Sequence, residues 1–123
     1  MKPSLHRQKL GKTGEDLASE YLRHHGYTVI ERNFKARYGE LDIIAVKDNT
    51  LVVIEVKTRE NNAFGNPEEA ITKRKLRELI LTTQYYSVLH PELPQLLRID
   101  LIAIAMNTEV QKYRLKHITD ISS

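Results

Sequence analysis

The sequence contains no cysteine. Disulfides, cysteine-ligated zinc and thiol nucleophiles are therefore excluded, and a reducing cytoplasm is compatible with the chain. Long apolar runs are also missing. The longest, Leu101 to Met106, has six residues, against the ~20 that a membrane-spanning helix needs, so no membrane partner is expected. The amino terminus, MKPSLHRQKLGKTGED, is basic with no apolar stretch behind it, which does not read as a secretory signal. No internal repeat, low-complexity segment or linker is evident. The five histidines show no zinc spacing. Gly11-Lys12-Thr13 is not a phosphate-binding loop, because His6 stands where the first glycine is required and no strand precedes it. A large excess of one charge is missing as well: 19 Lys and Arg against 16 Asp and Glu give a formal +3, a weak pointer to a polyanionic partner.

What is present is a globular balance of 41% hydrophobic and 28% charged residues over 123 positions, enough for one domain. Residues 1–10, with Lys2, His6, Arg7 and Lys9, read as a flexible basic arm, and residues 11–121 as the domain. A first helix is expected from near Thr13, with Asp16 as capping-box partner, an apolar stripe of Leu17, Ala18, Tyr21 and Leu22, and a stop at Gly26. Strands are expected over Tyr27 to Lys35, Gly39 to Lys47 and Thr50 to Arg59. After the polar ENNAFGN loop, Asn66-Pro67-Glu68-Glu69 reads as the start of a second helix that runs to about Leu89 and buries Leu76, Leu79, Ile80, Thr83 and Tyr86. Leu96 to Met106 and Glu109 to Ile118 complete the pattern. The order αβββαββ predicts an α/β fold, a mixed five-stranded sheet flanked by helices.

The segment GELDIIAVKDNTLVVIEVKTR carries the chemistry. Asp48-Asn49 is suited to a two-residue turn, since both residue types tolerate positive φ. That turn sets Lys47 opposite Thr50, hence Asp42 opposite Glu55 and Glu40 opposite Lys57. These four charges would share one face with Ile44, Val46, Leu51 and Val53, while Leu41, Ile43, Ala45, Val52, Ile54 and Val56 share the other. Both faces then look covered, with a polar pocket at one end. Carboxylates about 4 Å apart repel by roughly 4 kcal/mol at an effective dielectric of 20. A raised pKa on one acid, the Lys57 ammonium, or a bound Mg²⁺ or Mn²⁺ would offset this.

Asp42, then twelve residues, then Glu55-Val56-Lys57 resembles the PD-(D/E)XK nuclease signature. With RNFKARYGELDIIA, LVVIEVKTR and RID, the chain is more closely similar to the YraN-type family of small bacterial proteins, predicted endonucleases that are similar to archaeal Holliday-junction resolvases. The resemblance spans about Gly11 to Ile118. It implies a restriction-endonuclease-like sheet and a Mg²⁺- or Mn²⁺-dependent hydrolase of DNA phosphodiesters, acting on branched or junction DNA. It implies Asp42 and Glu55 as metal ligands, Lys57 as the catalytic lysine, and Glu15 as the helical acid that completes the site. The spacing of Glu15 to Ala18 and Leu22 puts it on the buried side of its helix. Leu41 departs from the signature, which names Pro there. Resolvases of this kind act as two-fold dimers; no dimer seam is identifiable in this sequence.

Each assignment has a plainer alternative. Asp42, Glu55 and Lys57 would also make a structural ion network, Glu40 a salt bridge to Lys57, and Glu15 a favourable charge at a helix start. Lys73, Arg74, Lys75 and Arg77 form a basic patch suited to phosphate contact, extended by Arg32, Lys35 and Arg37, or else a solvated helix face. The resemblance makes Gln84 a candidate for a glutamine near the metal. Arg98 and Asp100 would support the site or form a buried ion pair. Tyr85-Tyr86 read as rim and core. A nucleic-acid-binding module without catalysis, and a protein-interaction domain, are the competing functional readings.

Overall fold

Asp48 and Asn49 both take left-handed φ, 49° and 58°, the geometry of the tight turn that matches strand twist. This one turn fixes the central hairpin. In the computed structural model, which describes residues 5–60, 71–107 and 109–122 and the side chains among them from residue 11, Lys47 faces Thr50 and the ladder continues to Ile43 opposite Ile54. The elements are α1 (Leu5–His24), β1 (Thr28–Ala36), β2 (Gly39–Lys47), β3 (Thr50–Glu60), α2 (Lys73–Leu89), β4 (Leu96–Asn107) and β5 (Lys112–Ile118). They form one five-stranded sheet in the order β1-β2-β3-β4-β5. Every neighbouring pair is antiparallel except β3–β4, and a parallel pair requires the crossover in which α2 lies. The expected order and sheet are what the chain adopts.

Each face of the sheet has its own core. Ala18, Leu22 and Tyr27 pack on Ile43, Ala45, Val52, Ile54, Ile102 and Ile104 on the α1 side. Leu79 and Tyr86 pack on Leu41, Ile44, Leu51, Val53 and Ile99 on the α2 side. Each aliphatic side chain so buried contributes roughly 1.5–3 kcal/mol. No helix among the described residues is long and apolar enough to cross a membrane.

Three boundaries differ from expectation. Helix α1 begins at Leu5, so 5–10 belong to a helix rather than an arm, and Thr13 is interior. Gly11 and Gly14 weaken a local helix signal by about 1 kcal/mol each, and packing outweighs that. A Cβ on Gly14 would collide with Thr58 Oγ1, so glycine is what lets α1 rest on β3. Helix α2 begins at Lys73, where Thr72 caps it by accepting a hydrogen bond from Lys75 N at 3.0 Å; a start at Asn66-Pro67 lies outside the described residues, and Ile71 and Thr72 are not helical. Strand β5 begins at Lys112, after Gln111 with φ 52°.

One irregularity matters for function. Asn33, within β1, has φ 57°. Its neighbours pair as Arg32 with Ile43 and Phe34 with Leu41. Arg32 reaches α1, whereas Phe34 packs on the α2 side. Leu41 is accordingly on the α2 side and Ile43 on the α1 side. The expected face shared by Leu41 and Ile43 is thus broken, because a left-handed residue interrupts the two-residue alternation. Asp42 sits at the break.

Candidate active site

The β2–β3 ladder ends at Ile43 and Ile54. One residue further, the Asp42 side chain takes over the role of backbone: its Oδ2 accepts a hydrogen bond from Val56 N at 2.9 Å. The turn arithmetic therefore brings Asp42 and Glu55 together, as expected. It does not carry Glu40 to Lys57, since the ladder has ended and Glu40 is exposed. Burial, then the Glu55 charge and the hydrogen bond between the two acids, push the Asp42 carboxyl up to about 8. The Val56 N–H opposes the shift, and Glu40 adds slightly to it. The Asp42 carboxyl therefore keeps its proton to a higher pH than a free side chain does.

Glu55 is 4% exposed, and its Oε2 is buried without a hydrogen-bond partner. The Lys75 ammonium, from the first turn of α2, stands 3.9 Å from that oxygen. Lys57, two residues beyond Glu55 on the same face of β3, is half-buried. The site thus lies between a lysine on the strand and a lysine on the helix. The second was expected in a patch with Lys73, Arg74 and Arg77. These three stay exposed, with Arg74 paired to Glu78 at 3.4 Å, while Lys75 turns inward.

Glu15 lies well inside α1, not near its start, so a helix-end role is removed. Arg32 Nη2 approaches Glu15 Oε1 at 3.5 Å and Asp16 Oδ1 at 2.8 Å. Burial, then the Asp42 charge, raise the Glu15 pKa; hydrogen bonds from Asn33 and Arg32 act against this. Glu15 is within the field of Asp42, yet no three His, Cys, Asp or Glu among the described residues are gathered as a metal cage. The arrangement is a pair of acids with a third alongside. Arg32 extends no basic patch; it is committed to α1. Asn33 carried no functional reading in the sequence, and an asparagine inside a strand pattern is the signal that marks it.

The remaining candidates lie elsewhere. Gln84 is exposed on α2 and lines a cavity with Thr83, Leu97 and Ile99. Nine residues from Lys75, it is ~13 Å further along the helix. Arg37 is exposed in the β1–β2 turn, its guanidinium 5.3 Å from the Tyr38 ring centre. Arg98 and Asp100 form the buried ion pair, on the opposite face from Glu55, since Asp100 pairs with Ile54. Asp100 is fully buried, and Arg98 Nε and Nη2 donate to it at 2.9 and 3.0 Å. His117 Nε2 donates at 2.8 Å and Asp120 N at 2.9 Å. Arg98 also donates to the Tyr27 hydroxyl at 2.8 Å. Burial alone would raise the Asp100 pKa, but these donors together hold it below the usual carboxylate range. Tyr86 is buried and Tyr85 half exposed, core and rim as read.

A protein of Persephonella marina is 44% identical over 97 residues, 79% of this chain and 84% of its own length. One of Syntrophomonas wolfei is 42% identical over 111 residues, 90% and 95% of the two chains. One of Clostridium perfringens is 38% identical over 115 residues, 94% of each. All three are UPF0102 proteins. Among solved structures, a repair endonuclease from Pyrococcus abyssi aligns with 84% of this chain at 17% identity and a TM-score of 0.40; the match spans 38% of that enzyme. Residues 14–104 match the Uncharacterised protein family UPF0102, and the chain belongs to that family, the YraN-type family its hairpin residues resemble.

Proposed function

We propose that this protein is a metal-dependent nuclease that hydrolyses DNA phosphodiester bonds. The reading rests on one observation: half-buried Asp42 and buried Glu55 meet at the end of the β2–β3 ladder, and Glu55 Oε2 is left without a hydrogen bond. A buried carboxylate oxygen without a donor is costly, and a cation is the natural partner for it. The donor set fits Mg²⁺ or Mn²⁺, because Mg²⁺ is commonly held by one or two carboxylates with water and substrate phosphate supplying the rest. Asp42 and Glu55 would hold the ion; when bound, it supplies water activation and charge neutralisation at phosphate.

The chain's own groups have distinct tasks in this reading. Asp42, one oxygen held by Val56 N–H, would offer the other as a ligand, its proton passing to solvent. Lys57 faces the same side as Glu55 and stabilises charge that develops on the scissile phosphate. Lys75 neutralises Glu55 before the metal arrives. Glu15, tethered by Arg32 and Asn33, orients water beside Asp42 rather than serving as a third ligand. Branched or junction DNA is the substrate class the family resemblance favours.

The test is a cleavage panel of duplex, single-stranded and four-way DNA with Mg²⁺, Mn²⁺ or chelator. Wild type should cut at least one substrate with metal and none with chelator. Lys57→Ala should keep DNA binding and lose cutting by at least about a hundredfold, the scale of a lost transition-state charge partner. Equal cutting by Lys57→Ala and wild type would refute the assignment.

A further inference from the structure

The sheet carries a second group of cations outside the site. Across β3, β4 and β5, Lys57 pairs with Ala103 and Ala103 with Lys116; Arg59 pairs with Ala105 and Ala105 with Arg114; Asn107 pairs with Lys112. Paired residues point to the same side of a sheet. Lys57, Arg59, Lys112, Arg114 and Lys116 therefore share one face. The residues between them confirm which: Val56, Met106 and Leu115 pack into the α1-side core, so the cations face the other way, the side of Glu55. Arg59, Lys112, Arg114 and Lys116 are exposed and Lys57 is half-buried, while Ala103 and Ala105 lie buried between the rows. Within these strands, no carboxylate among the described residues shares this face beyond Glu55.

The magnitudes favour a specific partner. Alternate residues on a strand are ~6.7 Å apart, and the outer strands of three are ~10 Å apart. The five charges thus form a compact two-row array that begins at the site lysine. The chain as a whole carries +3, so without these five positive charges the remainder would carry −2. The array holds five of the chain's 19 Lys and Arg. Such an array suits a partner with closely and regularly spaced negative charge, which is what a nucleic-acid backbone presents.

Building on the nuclease reading, we propose that this face of β3–β5 is the track for the duplex DNA arm that adjoins the scissile phosphate, with Arg59, Lys112, Arg114 and Lys116 as its phosphate contacts. The exposed α2 residues Lys73, Arg74 and Arg77 are secondary to it. Small alanines between the rows keep the floor low, so a backbone lying across the strands meets cations on both sides.

The test uses the full chain in chelator, where nothing is cut, and a labelled duplex read by fluorescence anisotropy over a salt series. The triple variant Arg59→Gln/Arg114→Gln/Lys116→Gln should bind about a hundredfold more weakly at low salt, with the slope of log K against log salt reduced by roughly 2–3. The triple variant Lys73→Gln/Arg74→Gln/Arg77→Gln should lose much less. Lys112→Gln/Lys116→Gln gives the same readout, at about two-thirds of the slope change, if the first triple variant does not fold. Wild-type affinity and slope in the sheet variants, or the larger loss in the helix variant, would overturn the track while metal-dependent cutting left the nuclease reading intact. A wild-type chain that neither binds nor cuts DNA would end both.

Discussion

Asp42 is the residue on which most turns. In the metal-free protein its folded pKa is about 8 against 3.8 for the free side chain. A folded value above the unfolded one means this group's stabilising contribution is complete below the unfolded pKa and is lost as pH rises through the folded pKa. Between about pH 4 and 8 the metal-free chain should therefore lose stability from this group. Asp42→Asn should flatten that decline and melt above wild type near pH 9, with wild type ahead or equal near pH 5. A melting series from pH 5 to 9 in chelator checks it; parallel curves for the two proteins would contradict the raised Asp42 carboxyl. Lys75 makes a second residue-scale prediction. Lys75→Met removes an ammonium 3.9 Å from Glu55 Oε2, so Mn²⁺ should bind about tenfold more tightly, the equivalent of roughly 1.4 kcal/mol, while DNA cutting falls. Calorimetric titration reads the first effect without reference to activity.

At the scale of elements, the close contact of α1 with β3 decides how Glu15 meets the site. Gly14→Ala adds a methyl where Thr58 Oγ1 already lies. Alanine is the better helix former by about 1 kcal/mol, yet overpacking should win and the variant should lose roughly 1–3 kcal/mol. Thr58→Ala should recover part of that loss in the double variant, as denaturant unfolding would show. The kink at Asn33 is the companion feature. Asn33→Gly should be tolerated within about 1 kcal/mol, whereas Asn33→Val should cost more, because a β-branched residue resists positive φ. How far the sequence revealed all this follows from distance along the chain. The β2–β3 hairpin is legible because a two-residue turn counts positions outward, and that count joins Asp42 to Glu55; it fails one step beyond, at Leu41 and Glu40, where the ladder has ended. Lys75 and Glu15 depend on where whole helices land, which no local pattern states. Thr13 has the look of a helix start because capping residues are common, yet it lies inside α1, and the cap observed on α2 is Thr72 rather than a residue the pattern singles out. For Arg98 and Asp100 the pattern allows support of the site or a buried pair, and one-residue parity on β4 puts Asp100 on the face away from Glu55.

The whole molecule combines an acidic centre with a basic surround. Two cores clamp the sheet from either side, so the Asp42–Glu55 pair is held by packing before any ligand arrives. Cations from β3 and α2 flank it, and the β5 row extends them. Binding of DNA should accordingly weaken steeply with salt and binding of metal less so, since Glu55 is buried and Asp42 half-buried whereas the phosphate contacts are exposed. The most direct test of the account is calorimetric titration of Mn²⁺ into the protein at low salt. One ion per chain in wild type, and none in Asp42→Asn or Glu55→Gln, is the predicted result; no binding to wild type, or equal binding to all three, would contradict it.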